Sequence, residues 1–393
     1  MNRETLVASH IAAVPPSGIR KFFDIASDMK NVISLSVGEP DFVTPWNVRA
    51  AAISSIEQGR THYTSNHGMP ELRSLIEKYL ASRYNVYYPA SQILVTVGAS
   101  EALDLAFRAL IEPGDEVLIP APSYVSYEPG VAFCHGVPVA VETGEAENFT
   151  LTPEQIERAV TPKTKAIVIP YPNNPTGAIM TREQLDAIRP VILKHGLFVI
   201  ADEIYSELTY GGRHASFAEG MEDRTLLING FSKAFAMTGW RLGYACGPAD
   251  VIAAMVKIHQ YTMLCAPIMS QVAGIEALKD EMGSGFPQVA DMVRSYNRRR
   301  TLVVESFREM GLSCFEPRGA FYAFPNIKST GLSSEEFCKR LIFEKSVACV
   351  PGTAFGQSGE GYIRCSYAAS TENIIEALKR IREFVEACKN ESK

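Results

Sequence analysis

Apolar positions along this chain fall into two kinds of pattern. Short continuous apolar runs occupy residues 93–97, 116–119, 166–169, 198–201, 225–228 and 242–245. Runs of four or five residues without polar alternation predict strands buried on both faces, as in a mostly parallel sheet. Between them the period changes to that of a helix. After Gly68-Met69-Pro70, Leu72, Leu75, Ile76, Tyr79 and Leu80 recur at helical spacing, and Pro70 suits a first-turn position. A second helix follows Gly98-Ala99-Ser100 through Leu103, Ala106, Phe107 and Leu110, and Pro113-Gly114 ends it. Alternating strands and helices predict an α/β layered fold. From about Phe286 the pattern shifts to a long helix over 289–310, short strands and a final helix over 371–388. That shift predicts a large domain over 45–285 and a smaller α+β domain over 286–393. The small domain also takes part of the segment 1–44, an N-terminal arm expected to start extended.

Composition narrows the function classes. The 393 residues are 46% hydrophobic and 21% charged, with a net charge of -6 and no acidic or basic block. A nucleic-acid surface needs clustered positive charge, so none is expected. The one basic triplet, Arg298-Arg299-Arg300, reads as a solvated helix face. No apolar run reaches membrane-spanning length, and residues 1–11 hold no signal-like core, so a cytoplasmic location without membrane attachment is expected. Eight scattered cysteines without a Cys-x-x-Cys pair predict free thiols. The seven histidines show no ligand spacing, so no metal is expected.

The chemistry concentrates just past the apolar runs, where open α/β sheets bind ligands. Asp202 follows one strand, Lys233 another by a short loop, Asn174 a third, and Gly98-Ala99-Ser100 opens a helix after a fourth. Taken singly, these are a strand-end acid, a surface lysine, a tight turn and a helix cap. Together they bring an acid, an amine, an amide and an anion-binding helix N-terminus to one sheet edge.

In this setting the segment Ser232-Lys233-Ala234-Phe235-Ala236-Met237-Thr238-Gly239-Trp240-Arg241-Leu242-Gly243 resembles the cofactor-lysine signature of the class I/II, fold-type I aminotransferases. Asn174-Pro175-Thr176-Gly177, Asp202-Glu203-Ile204-Tyr205 and Tyr362-Ile363-Arg364 are similar to further family motifs in the same order, and the resemblance runs from Gly38-Glu39-Pro40-Asp41 to Arg364. It looks nearest to the branch of aromatic, aspartate and N-acetyl-diaminopimelate aminotransferases.

The resemblance implies pyridoxal 5′-phosphate as cofactor, carried by Lys233. That amine would also move the substrate proton, its pKa lowered by a neighbouring cation such as Arg241. The resemblance implies that Asp202 faces the ring nitrogen, that Tyr205 and Asn174 hold the ring oxygen, and that Tyr124 stacks on the ring. Ala99, Ser100 and Arg241 would hold the phosphate. Many relatives add a serine three positions before the lysine; here that residue is Gly230, and Ser232 is the expected substitute. Arg364, with Gly38 and Asn174, would receive the substrate α-carboxylate. Tyr63 would reach the phosphate of a partner subunit, which implies a homodimer with shared sites. The implied reaction moves an amino group from an L-amino acid, aromatic favoured over aspartate or alanine, to a 2-oxo acid such as 2-oxoglutarate. A carbon–sulfur β-lyase on the same fold is the alternative, and a non-enzymatic regulator that senses the cofactor is a remote one.

Overall fold

The computed structural model describes residues 6–19, Phe22, Met29 and residues 31–391. The rest of the N-terminal arm lies outside the described residues. In chain order the strands are β1 (Ile33–Ser34), β2 (Ile93–Thr96), β3 (Glu116–Ala121), β4 (Val137–Glu142), β5 (Thr164–Ile169), β6 (Phe198–Asp202), β7 (Thr225–Gly230), β8 (Gly243–Cys246), β9 (Tyr322–Ala323), β10 (Val347–Ala348), β11 (Val350–Pro351) and β12 (Ile363–Ser366).

Seven of them form one mixed sheet in the order β2-β8-β7-β6-β5-β3-β4. Only β8 runs antiparallel to its neighbours; the other pairings are parallel. Residues alternate between two apolar layers. Ala166, Val168, Ile200, Leu226 and Ile228 pack on helices Gly98–Leu110 and Ala249–Thr262. Ile167, Ile169, Val199 and Ala201 pack on the opposite side, with Leu185 and Ile188 of helix Arg182–Lys194. Burial on both faces is why these strands read as unbroken apolar runs. All six predicted runs are strands, within two residues at either end. The sequence pattern missed β4, which lies at the sheet edge and keeps several side chains in solvent.

A second core gathers Met292, Tyr296, Phe307, Phe321, Phe337, Leu341, Ile374, Ile381 and Phe384 with Phe22 and Leu35. Its helices are Pro287–Glu309, Ser334–Lys345 and Thr371–Glu391. β1 pairs in parallel with β10, which ties the N-terminal segment to the C-terminal part of the chain. Helix Ile268–Ser284 ends at Gly285 with φ +83°, and Pro287–Glu309 starts at once. That long helix begins on the large-sheet core at Val289 and ends in the second core at Phe307.

Residues 1–5, where the arm was expected to start extended, lie outside the described residues, and Ser9–Ala12 forms a helical turn. The arginine triplet is not a free solvated face. Arg299 pairs with Asp41 at 2.8 Å and Arg300 with Glu316 at 2.7 Å, and both arginines are mostly covered. The Arg300 guanidinium also sits over the Tyr210 ring. Six of the eight cysteines are buried. No helix among the described residues is long and apolar enough to cross a membrane, and no cluster of three or more potential metal ligands occurs among them.

Candidate active site

Register places the functional strand ends at one edge of the sheet. Asp202 pairs with Ile228 on β7, Gly230 pairs with Gly243, and Gly243 pairs with Thr96. Past this edge lies a cavity of about 1920 Å³, lined by Gly38, Ala99, Ser100, Tyr124, Asn174, Asp202, Tyr205, Ser232, Lys233, Arg241 and Arg364, among others. Twelve site residues were expected from sequence; the cavity collects all but Tyr63. Tyr63 does not line it and is 83% exposed.

Lys233 stands on a short loop after β7. The loop is closed by the Met237 N–H on the Ser232 carbonyl and braced from outside by Thr44, whose hydroxyl donates to the Ala236 carbonyl at 2.6 Å. The indole N–H of Trp240 holds Thr44 in turn. Lys233 Nζ donates to the Gly38 carbonyl at 2.6 Å. Its pKa is lowered to about 8, chiefly by burial; Glu39 opposes the shift, while Arg364 and Arg241 add to it. The sequence reading credited Arg241 with this shift, but loss of solvent is the larger cause.

Asp202 is buried at the end of β6. It accepts the Tyr127 hydroxyl at 2.8 Å and the Ile204 N–H at 3.2 Å. Burial raises its pKa to about 6 against these two hydrogen bonds, which pull it down. Tyr127, in the first turn of helix Tyr127–Phe133, was not anticipated from sequence. Its neighbour Tyr124 meets it edge to face, with ring centroids 5.7 Å apart.

Arg364, on β12, is almost wholly enclosed. It donates to Asn174 Oδ1 at 3.0 Å and to the Ser36 carbonyl at 2.6 Å. Its Nε has no partner. The rings of Tyr322 and Phe355 lie 4.5 and 5.0 Å from its guanidinium carbon. Tyr322 also hydrogen-bonds Tyr205, hydroxyl to hydroxyl, at 2.8 Å. Sequence reasoning missed Ser36, Phe355 and Tyr322.

The fourth corner is the N-terminus of helix Gly98–Leu110. Gly98 has φ +77°, and a Cβ there would lie 2.5 Å from Arg241 Nη2. The guanidinium is therefore packed on the backbone whose free N–H groups open the helix. A Cβ on Gly230 would sit 3.0 Å from Gly243 Cα and from the Leu242 carbonyl oxygen. The position is tightly packed without a side chain, and Ser232 lines the cavity.

Comparison with known proteins identifies the family. The sequence profile described as "Aminotransferase class I and II" matches residues 30–381. The Bacillus subtilis aminotransferase-family protein YugH is 53% identical over 96% of this chain and 98% of its own length. An aspartate aminotransferase of Pyrococcus abyssi is 44% identical over 96% and 98%. The solved structure of an aromatic aminotransferase from Pyrococcus horikoshii is 41% identical, covers 94% of this chain and 99% of its own, and superposes with a TM-score of 0.88. None of these relatives supports the carbon–sulfur lyase alternative.

Class I and II aminotransferases use pyridoxal 5′-phosphate. The cavity fits such a group, because it combines an amine with lowered pKa, a buried carboxylate, and a guanidinium packed on a helix N-terminus. With a family match over most of its length and relatives at this level of identity, the chain is an enzyme belonging to the class I and II aminotransferases.

Proposed function

We propose that the protein carries out two-step transamination. An L-amino acid leaves its amino group and departs as a 2-oxo acid; a second 2-oxo acid, such as 2-oxoglutarate, then collects the group. The observation that carries this reading is the common cavity of Lys233, Asp202 and Arg364. When bound, the cofactor supplies a carbonyl that takes the amino group and a ring that accepts the electron pair left at the substrate Cα.

Each residue then has a task. Lys233 Nζ holds the cofactor and later moves the proton at Cα. Its pKa of about 8 leaves a useful neutral fraction near pH 7. Asp202 would pair as an anion with the ring nitrogen and keep it protonated; Tyr127 and the Ile204 N–H fix the direction of its carboxylate. Tyr205 and Asn174 would hold the ring oxygen, and Tyr124 would stack on the ring. Arg241 and the N–H groups of Ala99 and Ser100 take the phosphate, with the Ser232 hydroxyl beside them. Arg364 takes the α-carboxylate, for which its unpaired Nε supports a direct role, together with the Gly38 N–H and Asn174.

Aromatic donors are favoured over aspartate and alanine. Val14, Pro15 and Ile19 of the N-terminal segment line the cavity with Tyr322 and Phe355, the two rings against Arg364. An apolar side chain would be covered there. The relatives' names include both aspartate and aromatic aminotransferases, so they do not decide the donor. A panel of amino donors with 2-oxoglutarate tests the assignment. Tyrosine and phenylalanine should show the highest kcat/KM, and a higher value for aspartate would overturn it.

We also infer a homodimer and a division into a large domain over 45–285 and a small one formed by 286–393 with part of 1–44. The exposed Trp46, Ile53, Tyr63, Tyr261 and Met263 support a partner surface. Mixing inactive Lys233→Ala and Tyr63→Ala parents should restore activity if Tyr63 serves the partner's site. No recovery in a verified heterodimer would remove Tyr63 from the shared site.

A further inference from the structure

The first turn of helix Gly98–Leu110 carries a carboxylate, Glu101, that the reading above leaves without a task. Glu101 turns back along its own helix. One of its oxygens accepts the N–H of Val97, the capping residue, at 2.5 Å. The other meets Nδ1 of His259 at 2.7 Å. An ionised carboxylate only accepts, so Nδ1 carries the proton. His259 comes from a separate helix, Ala249–Thr262, and is fully enclosed; its Nε2 has no partner.

Burying these two polar groups is costly unless they satisfy each other, and together they brace one turn. That turn is the crowded one. Arg241 packs on Gly98 from one side. From another, a Cβ on Gly243 would stand 2.5 Å from the Ala99 nitrogen. The Thr96 hydroxyl closes the turn on the Gly98 carbonyl at 2.9 Å. Moving Val97 therefore moves the Ala99 and Ser100 N–H groups relative to Arg241. The helix dipole favours a carboxylate in this turn, yet its charge also opposes a phosphate dianion. A hydrogen bond from His259 fixes the side chain and draws on that charge.

We propose that Glu101 and His259 act as a positioning pair for the phosphate cradle: Glu101 locks the entry turn, and His259 locks Glu101. The inference rests on the reading that the phosphate binds at Ala99, Ser100 and Arg241.

The test uses apoenzyme titrated with pyridoxal 5′-phosphate and, separately, with pyridoxal, which lacks the phosphate. The ratio of the two Kd values isolates the phosphate. His259→Leu should reduce that ratio about tenfold or more, the size of a charge contact at a helix N-terminus, while pyridoxal binds as before. His259→Asn, whose amide nitrogen stands in for Nδ1, should recover most of the ratio. Glu101→Ala should also reduce the ratio, by less than His259→Leu because it removes the opposing charge, and the double variant should lose no more than His259→Leu alone. Should His259→Leu fail to fold, Glu101→Ala carries the same comparison. Arg241→Ala is the reference. An unchanged ratio in Arg241→Ala overturns the phosphate reading itself. A collapse there, with both pair variants at the wild-type ratio, overturns only the positioning pair. Equal loss of both ligands in the pair variants also overturns it, because that is what a general packing role would produce.

Discussion

The cavity has two walls built in different ways. One is the edge of the large sheet, where Asp202, Lys233 and the helix opening at Gly98 follow strands that are buried on both faces. The other is assembled from distant parts of the chain. Arg364 comes from β12, Tyr322 from β9, and the carbonyls of Ser36 and Gly38 from the N-terminal segment. Sheet register sets the first wall; the second combines the register of β11, β12 and β9 with hydrogen bonds to remote segments. Ser36 and Gly38 link the walls, since one accepts from Arg364 and the other from Lys233.

Substitutions should break the two walls differently. The largest effect is expected at Arg364. Arg364→Lys disrupts a buried charge with fixed partners, which costs about 2–5 kcal/mol. Loss in kcat/KM for amino acids should be roughly 30-fold to several thousand-fold, with pyridoxal 5′-phosphate affinity nearly intact. Equal loss with amines lacking a carboxylate would remove Arg364 as the receptor. Asp202→Asn comes next and should leave the second wall untouched. Losing about two pKa units of ring-nitrogen stabilisation should slow the half-reaction with amino acid about a hundredfold. A wild-type rate in single-turnover measurements would contradict this.

Tyr127→Phe sharpens the comparison with a smaller change. It removes one buried hydrogen bond to Asp202, worth about 1–1.5 kcal/mol. The half-reaction should fall about five- to tenfold, while KM for amino acids stays near wild type. A change confined to KM would move Tyr127 to the substrate wall. The smallest effect is a shifted midpoint. In apoprotein, Lys233 is neutral above about pH 8 rather than above its ordinary 10.5. Its reaction rate with pyridoxal should therefore rise with pH and level off near pH 9. A rate still climbing steeply at pH 10 would show that burial does not depress this amine.

The same contrast decides what could be read from sequence. The first wall was legible because unbroken apolar runs mark doubly buried strands and the candidate site residues stand at or just past their ends. The edge strand β4 was not, because its exposed positions dilute the signal. Tyr127 opens its helix, and nothing local marks a first-turn tyrosine as the partner of an acid 75 positions away. Tyr322 sits on a two-residue strand too short to show any period. Ser36 contributes a backbone carbonyl, which every residue type has. Glu101 was visible as a first-turn acid, but its partner is more than 150 positions away and nothing local points to it.

The central claim is that the Lys233 amine carries the cofactor. Borohydride reduction of the holoenzyme followed by peptide mapping tests it directly. The account predicts one modified peptide, with the pyridoxyl mass on Lys233, and no reducible adduct in Lys233→Ala. A stable adduct on another lysine, or one that persists in Lys233→Ala, would contradict it.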